Sequence, residues 1–351
     1  MKILVVKMSS LGDVLHTLPA VTDAAASHPG VQIDWVVEES FARVPGWHPK
    51  VDRVIQTAFR RWRNRPFASL GGGEFWRCIA GVRERQYDCV IDAQGLLKSA
   101  VITRLARGAG SGYDRPSARE PLAALGYRYR FAVARDQHAV TRLRQLFARS
   151  LDYSLPDTLP DYGIRRRFSG TDKVTGDYIV FLHGTTWPSK QWPCNCWRKL
   201  AELVATAGFT IKLPWGTEEE RRQANDIAAD FHFVEVLPRL GLDDLAYVLG
   251  SARGVVGVDT GLSHLAAALE VPVVTLYGAT DPLLTGTTGG HQANLRAEFP
   301  CSPCLRRVCS YRDSDAIHPA CYRSLPAREV WICLQSLMQA GHVAEKACVQ
   351  A

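Results

Sequence analysis

VVGVDTGLSHLAAAL, residues 255–269, is the stretch from which the fold of this chain can be read. Val255, Val256 and Val258 around Gly257 form a short apolar run without polar alternation, the pattern of a strand covered on both faces. Asp259-Thr260-Gly261 breaks that run with a tight polar turn. Behind the turn, Leu262, Leu265, Ala266 and Leu269 recur at helical spacing. A strand that opens directly into a helix leaves unpaired backbone N–H groups and the positive end of the helix dipole at one point. Such a corner suits a phosphate. Thr260 adds a hydroxyl, Gly261 permits close backbone approach, and His264 lies one turn into the helix. An ordinary strand–turn–helix corner, with His264 merely packing or capping, has the same sequence. The stretch therefore indicates an α/β fold and leaves its ligand open.

The pattern repeats on either side. KILVV (Lys2–Val6), QIDWVVE (Gln32–Glu38) and YDCVID (residues 87–92) read as strands of the first half. YIVFLH (178–183) and residues 209–214, 232–237 and Val273–Tyr277 read as strands of the second, the last of them closing its sheet. Helical spacing appears at Val14, Leu15, Leu18, Val21 and Ala25, and again over residues 197–207, 242–249 and about 327–340. Thr217 ahead of Glu218, Glu219 and Glu220 has the composition of a helix start. A length of 351 residues suits two domains. Pro156, Pro160, Gly163 and the Arg165-Arg166-Arg167 run mark a linker around residues 155–177. The division is thus 1–165 and 166–351, the second part carrying a Cys-rich loop and a C-terminal helix. Both halves are Rossmann-like, yet no GxGxxG follows the first strand, so the dinucleotide signature is missing.

Charge separates the halves. Residues 1–165 carry 24 Lys and Arg against 16 Asp and Glu, and residues 166–351 carry 18 against 19. The whole excess of +7 lies in the first half, which points there to an anionic partner: nucleic acid, anionic lipid or an acidic sugar. A generic solubilising surface would also produce it. Aromatic and basic residues interleave only in one short run, which disfavours nucleic acid. The apolar opening is too short for a signal peptide and no run spans a bilayer, so a cytoplasmic protein is expected. Its ten cysteines are then expected to be reduced. Four of them, Cys301, Cys304, Cys309 and Cys321, are spaced as a structural metal site or as a reduced or redox-active thiol loop. Asp313-Ser314-Asp315, inside that loop, resembles a DxD metal motif only incidentally.

Several groups stand where open α/β sheets bind ligands, at the C-terminal ends of strands. Asp13, in SSLGD after the first strand, is either a general base or a helix N-cap. Arg60-Arg61-Trp62-Arg63-Asn64-Arg65, followed by Pro66 and Gly71-Gly72-Gly73, reads as a mobile loop that clamps phosphates or carboxylates, or as a solvated one. Lys98 follows the third strand, and Arg119, His138, Arg142 and Arg144 add further cationic and hydrogen-bonding groups. In the second half, Thr185, Thr186 and Lys190 form a hydroxyl-and-cation loop suited to a diphosphate.

Two Rossmann-like domains facing across a cleft constitute the GT-B arrangement of glycosyltransferases. Together KMSSLGDVLHTLPA, DWVVEE, RRWR, DAQGLLKSA, AREPLA, QHAV, KQWP, IKLPWG and VDTGLSHLAAAL resemble the lipopolysaccharide heptosyltransferase I group of glycosyltransferase family 9. The resemblance covers about residues 1–290; beyond about residue 298 the CSPC…C loop looks more like type II. It implies an inverting, metal-independent transfer of L-glycero-D-manno-heptose from ADP-heptose to the first Kdo of Kdo2-lipid A, with no cofactor. Alternatives are addition of the second heptose by a type II enzyme, or a non-catalytic anionic-glycolipid-binding protein. Asp13 is implied as the general base, and Lys190 as the group offsetting charge on the leaving ADP. Thr185, Thr186, Thr260 and Gly261 are implied at the diphosphate, Glu220 at the ribose, Leu240 at the adenine, and Asp259 and His264 at the heptose or the phosphate turn. Arg60, Arg61, Arg63, Lys98, Arg119 and His138 are implied at the acceptor's carboxylates and phosphates. A peripheral place on the cytoplasmic face of the inner membrane follows from such an acceptor.

Overall fold

Apolar strands that are buried on both faces need helices above and below them, and this chain meets that need twice. A computed structural model describes residues 1–64, 73–168, 176–311 and 317–349, with backbone only at residues 176 and 341–349. Arg65, Pro66, Gly71, Gly72 and Asp313-Ser314-Asp315 lie outside the described residues. Two compact units, Met1–Ile164 and Arg165–Ala351, make up the chain.

The N-terminal unit has six strands: β1 (Lys2–Val6), β2 (Gln32–Glu38), β3 (Val51–Thr57), β4 (Cys89–Asp92), β5 (Gly110–Tyr113) and β6 (Tyr129–Phe131). Their order is β3-β2-β1-β4-β5-β6, with every pairing parallel. Leu4 and Val6 of β1, Val36 of β2 and Val90 of β4 pack with Trp62, Ile79, Val82 and Ile102 from helices Phe59–Asn64, Glu74–Arg83 and Leu97–Leu105. Another helix pair, Leu18–Ser27 and Ala139–Leu151, packs together. Asp23 and Arg144 join that pair by a buried two-point ion pair, Nε to Oδ2 at 2.6 Å and Nη2 to Oδ1 at 3.3 Å. Arg144 also donates to the carbonyls of Pro156 and Thr158. All its donors thus hold the structure together, and the ligand-binding expectation for Arg144 is corrected.

The C-terminal unit repeats the plan with β7 (Gly176–Leu182), β8 (Thr210–Leu213), β9 (Val234–Val236), β10 (Ala252–Val258), β11 (Val273–Tyr277) and β12 (Gln292–Arg296). The order is β12-β11-β10-β7-β8-β9, again all parallel. Val273–Tyr277 is therefore not the last strand; β12 pairs beyond it, from Val273↔Gln292 to Tyr277↔Arg296. Phe181, Val256, Val258 and Leu276 share a core with Trp192, Trp197 and Leu200, closed by Val330, Trp331 and Leu334 of the terminal helix Ala327–Val349. Gly257 sets the seat of helix Gly261–Ala268, since a Cβ there would lie 2.2 Å from Ser263 Oγ. That hydroxyl bonds back to the Val258 carbonyl at 2.7 Å.

In both sheets the order of strand addition reverses at one place. In the N-terminal unit β1 runs to β2 and β3 on one side and β4 lies on the other; in the C-terminal unit β7 runs to β8 and β9 and β10 takes the opposite side. Crossovers at such a switch point diverge and leave a crevice beyond the strand ends.

Candidate active site

At the N-terminal unit's switch point, the loops after β1 and β4 are tied together. Gln94 Oε1 accepts the backbone N–H groups of Met8 and Ser9 at 3.0 and 3.2 Å, and Lys7 Nζ donates to the Ala93 carbonyl at 2.9 Å. Asp92, fully buried, stabilises its own turn by accepting the N–H groups of Gln94 and Gly95 and the Tyr127 hydroxyl. The loop leads into helix Leu11–Leu15, whose N-cap is Ser10. Asp13 is thus not the N-cap but the third helical residue of a capping box. Its Oδ2 accepts the Ser10 N–H and hydroxyl, each at 2.8 Å, while Oδ1 stands 3.7 Å from Lys7 Nζ. The side chain keeps 35% of its exposure. Burial pushes its carboxyl upward, but Lys7 and the Ser10 donors outweigh that and hold it below the usual carboxylate value.

The cations anticipated for an anionic acceptor fall on this same edge of the sheet. Arg60, Arg61 and Arg63 are exposed on helix Phe59–Asn64, directly after β3. The described part of that run is a helix and not the anticipated loop. Its cause is long-range: buried Glu38, at the end of β2, accepts the N–H groups of Phe59 and Arg60. Arg61 pairs with Glu39 at 3.0 Å and Glu74 at 2.8 Å, and Arg60 stacks on Phe41. Lys98 lies over the Phe59 ring, 5.8 Å from its centre. Arg119 is exposed beside the Gly95 turn, where Glu120 holds the N–H of Leu97. His138 N-caps helix Ala139–Leu151 through Val140 N, and its ring meets that of His16 edge-on, 5.8 Å between centres.

At the C-terminal unit's switch point, the loops after β7 and β10 converge on Asp259. Its side chain is 9% exposed; Oδ2 meets Lys190 Nζ at 2.6 Å and accepts the Thr280 hydroxyl at 2.6 Å. His264 Nε2 is 3.9 Å from Oδ1, and Thr185 Oγ1 donates to the Asp259 carbonyl at 3.3 Å. Burial opposes ionisation here, but His264 and Lys190 overcome it, and the carboxyl stays far below its usual range. Thr260 is the N-cap of helix Gly261–Ala268 in extended conformation, with its hydroxyl not engaged in capping. The helix start, Thr260 and Lys190 therefore present donors and positive charge together. Thr186 is exposed on the same loop as Thr185.

Glu220 Oε2 accepts the N–H groups of Gly216 and Thr217 at 2.8 and 3.1 Å, while Thr217 Oγ1 accepts the Glu220 N–H. Thr217 thus caps the helix as anticipated, in a capping box that spends one Glu220 oxygen. The other lies beside Gly184, where a Cβ would stand 2.6 Å from Oε1. Leu240 is half-buried in the loop after β9. Two residues of this unit and one of the other had no anticipated role. These are Thr280 and Gly184 in the C-terminal unit and, in the N-terminal unit, Lys7, which directly follows the first strand. A lysine that closes an apolar strand was the available signal.

Cys301, Cys304, Cys309 and Cys321 line one small cavity with Gly278, Ala279 and Ser189. Burial, and then the neighbouring thiols, push the Cys321 thiol up to about 12. Among the described residues no group of three or more His, Cys, Asp or Glu is arranged to hold a metal ion. The loop instead braces the Lys190 turn: Ser189 donates its N–H and hydroxyl to the carbonyls of Arg307 and Arg306, and Tyr322 donates to the Lys190 carbonyl. Among the described residues no helix is long and apolar enough to cross a membrane.

Residues 75–314 match the model of glycosyltransferase family 9 (heptosyltransferase). Lipopolysaccharide heptosyltransferase 1 of Pseudomonas aeruginosa is 49% identical over 350 residues, covering 97% of this chain and 99% of that protein. The solved structure of E. coli heptosyltransferase WaaC with ADP has a TM-score of 0.86 at 46% identity, covering 96% of this chain and all of that one. WaaC with ADP-2-deoxy-2-fluoro heptose gives a TM-score of 0.79 at 50% identity over 85% of this chain and 94% of that one.

Proposed function

The chain belongs to glycosyltransferase family 9 and is a heptosyltransferase with a GT-B-like fold; we propose that it transfers heptose from ADP-heptose to the first Kdo of Kdo2-lipid A, with inversion and without a metal. In this reading the N-terminal unit, Met1–Ile164, takes the acceptor and the C-terminal unit, Arg165–Ala351, takes the donor. The acceptor hydroxyl attacks the anomeric carbon, its proton passes to Asp13, and the bond from that carbon to the diphosphate breaks with its electrons leaving on ADP. Asp13 carries the proposal. One of its oxygens is fixed by Ser10, and the side chain still reaches solvent. An ionised carboxylate is a weak base toward an alcohol, so the proton moves late, as the new bond forms.

On the donor side, Lys190 offsets charge gathering on the departing ADP, in the manner of a preorganised cation. Thr185, Thr186 and the Thr260–Gly261 helix start hold the diphosphate, Glu220 the ribose, and Leu240 the adenine. Asp259 and His264 meet the heptose or fix the turn. Arg60, Arg61, Arg63, Lys98, Arg119 and His138 meet acceptor carboxylates and phosphates. The same positive surface draws the protein to the anionic cytoplasmic face of the inner membrane, without insertion.

The test is transfer from ADP-heptose to purified Kdo2-lipid A and to its mono-heptosylated form, both with chelator present. Turnover on Kdo2-lipid A alone is the expected outcome. Turnover only on the mono-heptosylated form makes the chain a second-heptose enzyme, the reading that its Cys-rich loop favours. Failure on both overturns both acceptor assignments.

A further inference from the structure

Lys7 is a buried lysine at the end of a central strand, 6% exposed, where an aliphatic residue would be cheaper to desolvate. Its position is fixed at three points. The backbone N–H donates to the Val36 carbonyl at 3.2 Å, the carbonyl accepts Trp35 Nε1 at 2.9 Å, and Nζ donates to the Ala93 carbonyl at 2.9 Å. The ammonium is therefore held by β1, β2 and the turn after β4, the rigid part of the sheet. Asp13 sits on a helix of only five residues, fixed locally through Ser10.

We propose that Lys7 is a positioning residue for Asp13: its sheet-anchored ammonium faces Oδ1 and keeps the carboxylate ionised and oriented for proton uptake. This rests on the reading of Asp13 as the general base. As the acceptor O–H bond breaks, its proton goes to the Asp13 carboxylate, leaving a neutral acid beside an ammonium that has lost its counter-charge. That state favours release of the proton to solvent and return of the ion pair. Other charged and titratable groups face the pair from each neighbouring element. His16 is the C-cap of the same short helix, with the His138 ring against it. Asp92 at the end of β4 supports the Lys7 charge, and Arg119 from the loop after β5 opposes it. Burial lowers the Lys7 pKa, with Asp13 the leading opposing influence.

The experiment is the pH profile of kcat and kcat/KM for the full chain and for Lys7→Met, Lys7→Gln and Lys7→Arg. ADP binding serves as the control for an intact donor unit. Loss of the ammonium leaves Asp13 with burial opposed only by Ser10 and His16, so its carboxyl rises and the acid limb moves to higher pH, by about one unit or more. Lys7→Gln keeps a donor for Ala93 without charge and shows the same shift; Lys7→Arg restores the limb toward its original pH. A folded Lys7→Met or Lys7→Gln that binds ADP and keeps the original acid limb overturns the proposal. Asp13→Asn separates the two claims: near-normal turnover in that variant removes the base itself. An inactive Asp13→Asn beside unshifted Lys7 variants removes only the role of Lys7.

Discussion

In the N-terminal unit Lys7 and Asp13 stand 3.7 Å apart, with the lysine buried and the aspartate 35% exposed; in the C-terminal unit Lys190 and Asp259 close to 2.6 Å, and the aspartate is 9% exposed. Both pairs occupy a switch point between parallel strands, so the fold supplies the location and the surroundings decide the chemistry. Asp13 keeps Oδ1 toward Lys7 at 3.7 Å. Asp259 has its Oδ2 doubly engaged, by Lys190 and Thr280, and His264 faces the other oxygen. The first arrangement leaves a carboxylate with capacity to accept a proton. The second uses a carboxylate to fix a cation and a helix start.

This contrast predicts which aspartate acts in the chemistry and which in the architecture. The largest effect belongs to Asp13→Asn: turnover falls about 10²–10⁴-fold, the usual contribution of a positioned base, while ADP binding measured by calorimetry is unchanged. Wild-type-like turnover in that variant would erase the distinction. Lys190→Met leaves Asp259 buried without its closest cation. The change costs about 3 kcal/mol of stability, as for other broken buried pairs, and weakens ADP binding, with thermal unfolding and calorimetry as the readouts. The smallest effect is in pH dependence. Asp259 is held below its usual pKa in the folded state, so its contribution is complete above the unfolded value of about 3.9 and fades as pH falls below it. The urea midpoint of the wild type therefore declines as pH falls from about 4 toward 2 more steeply than that of Asp259→Asn.

What could be read from the sequence follows burial. β1, β2, β10 and β11 are mostly apolar and almost wholly buried, and each was legible as a strand. Val51–Thr57 was not, because it is an edge strand whose Arg53 leaves the apolar pattern to meet Asp34 and Tyr87. Gly110–Tyr113 carries two glycines. At Gly112 the reason is spatial, a Cβ there standing 2.5 Å from the Tyr127 ring, and no local propensity announces it. The RRWR helix depends on Glu38, about twenty positions earlier in the chain. Arg144 and Arg119 are equal as letters; only the partner Asp23 separates a buried brace from an exposed cation. Thr280 likewise becomes informative only once β10 and β11 lie side by side.

Gly257 gives the donor-side corner a property beyond close packing. Asp259, Thr260, Gly261 and His264 follow it within seven residues and share a single seat, the contact of Ser263 with the strand. Asp259 is also held by Thr185, Thr280 and Lys190, so an error in the seat pulls the helix start against those anchors. A methyl group at position 257, 2.2 Å from Ser263 Oγ, would set the helix start and its donors at odds with the anchored carboxylate.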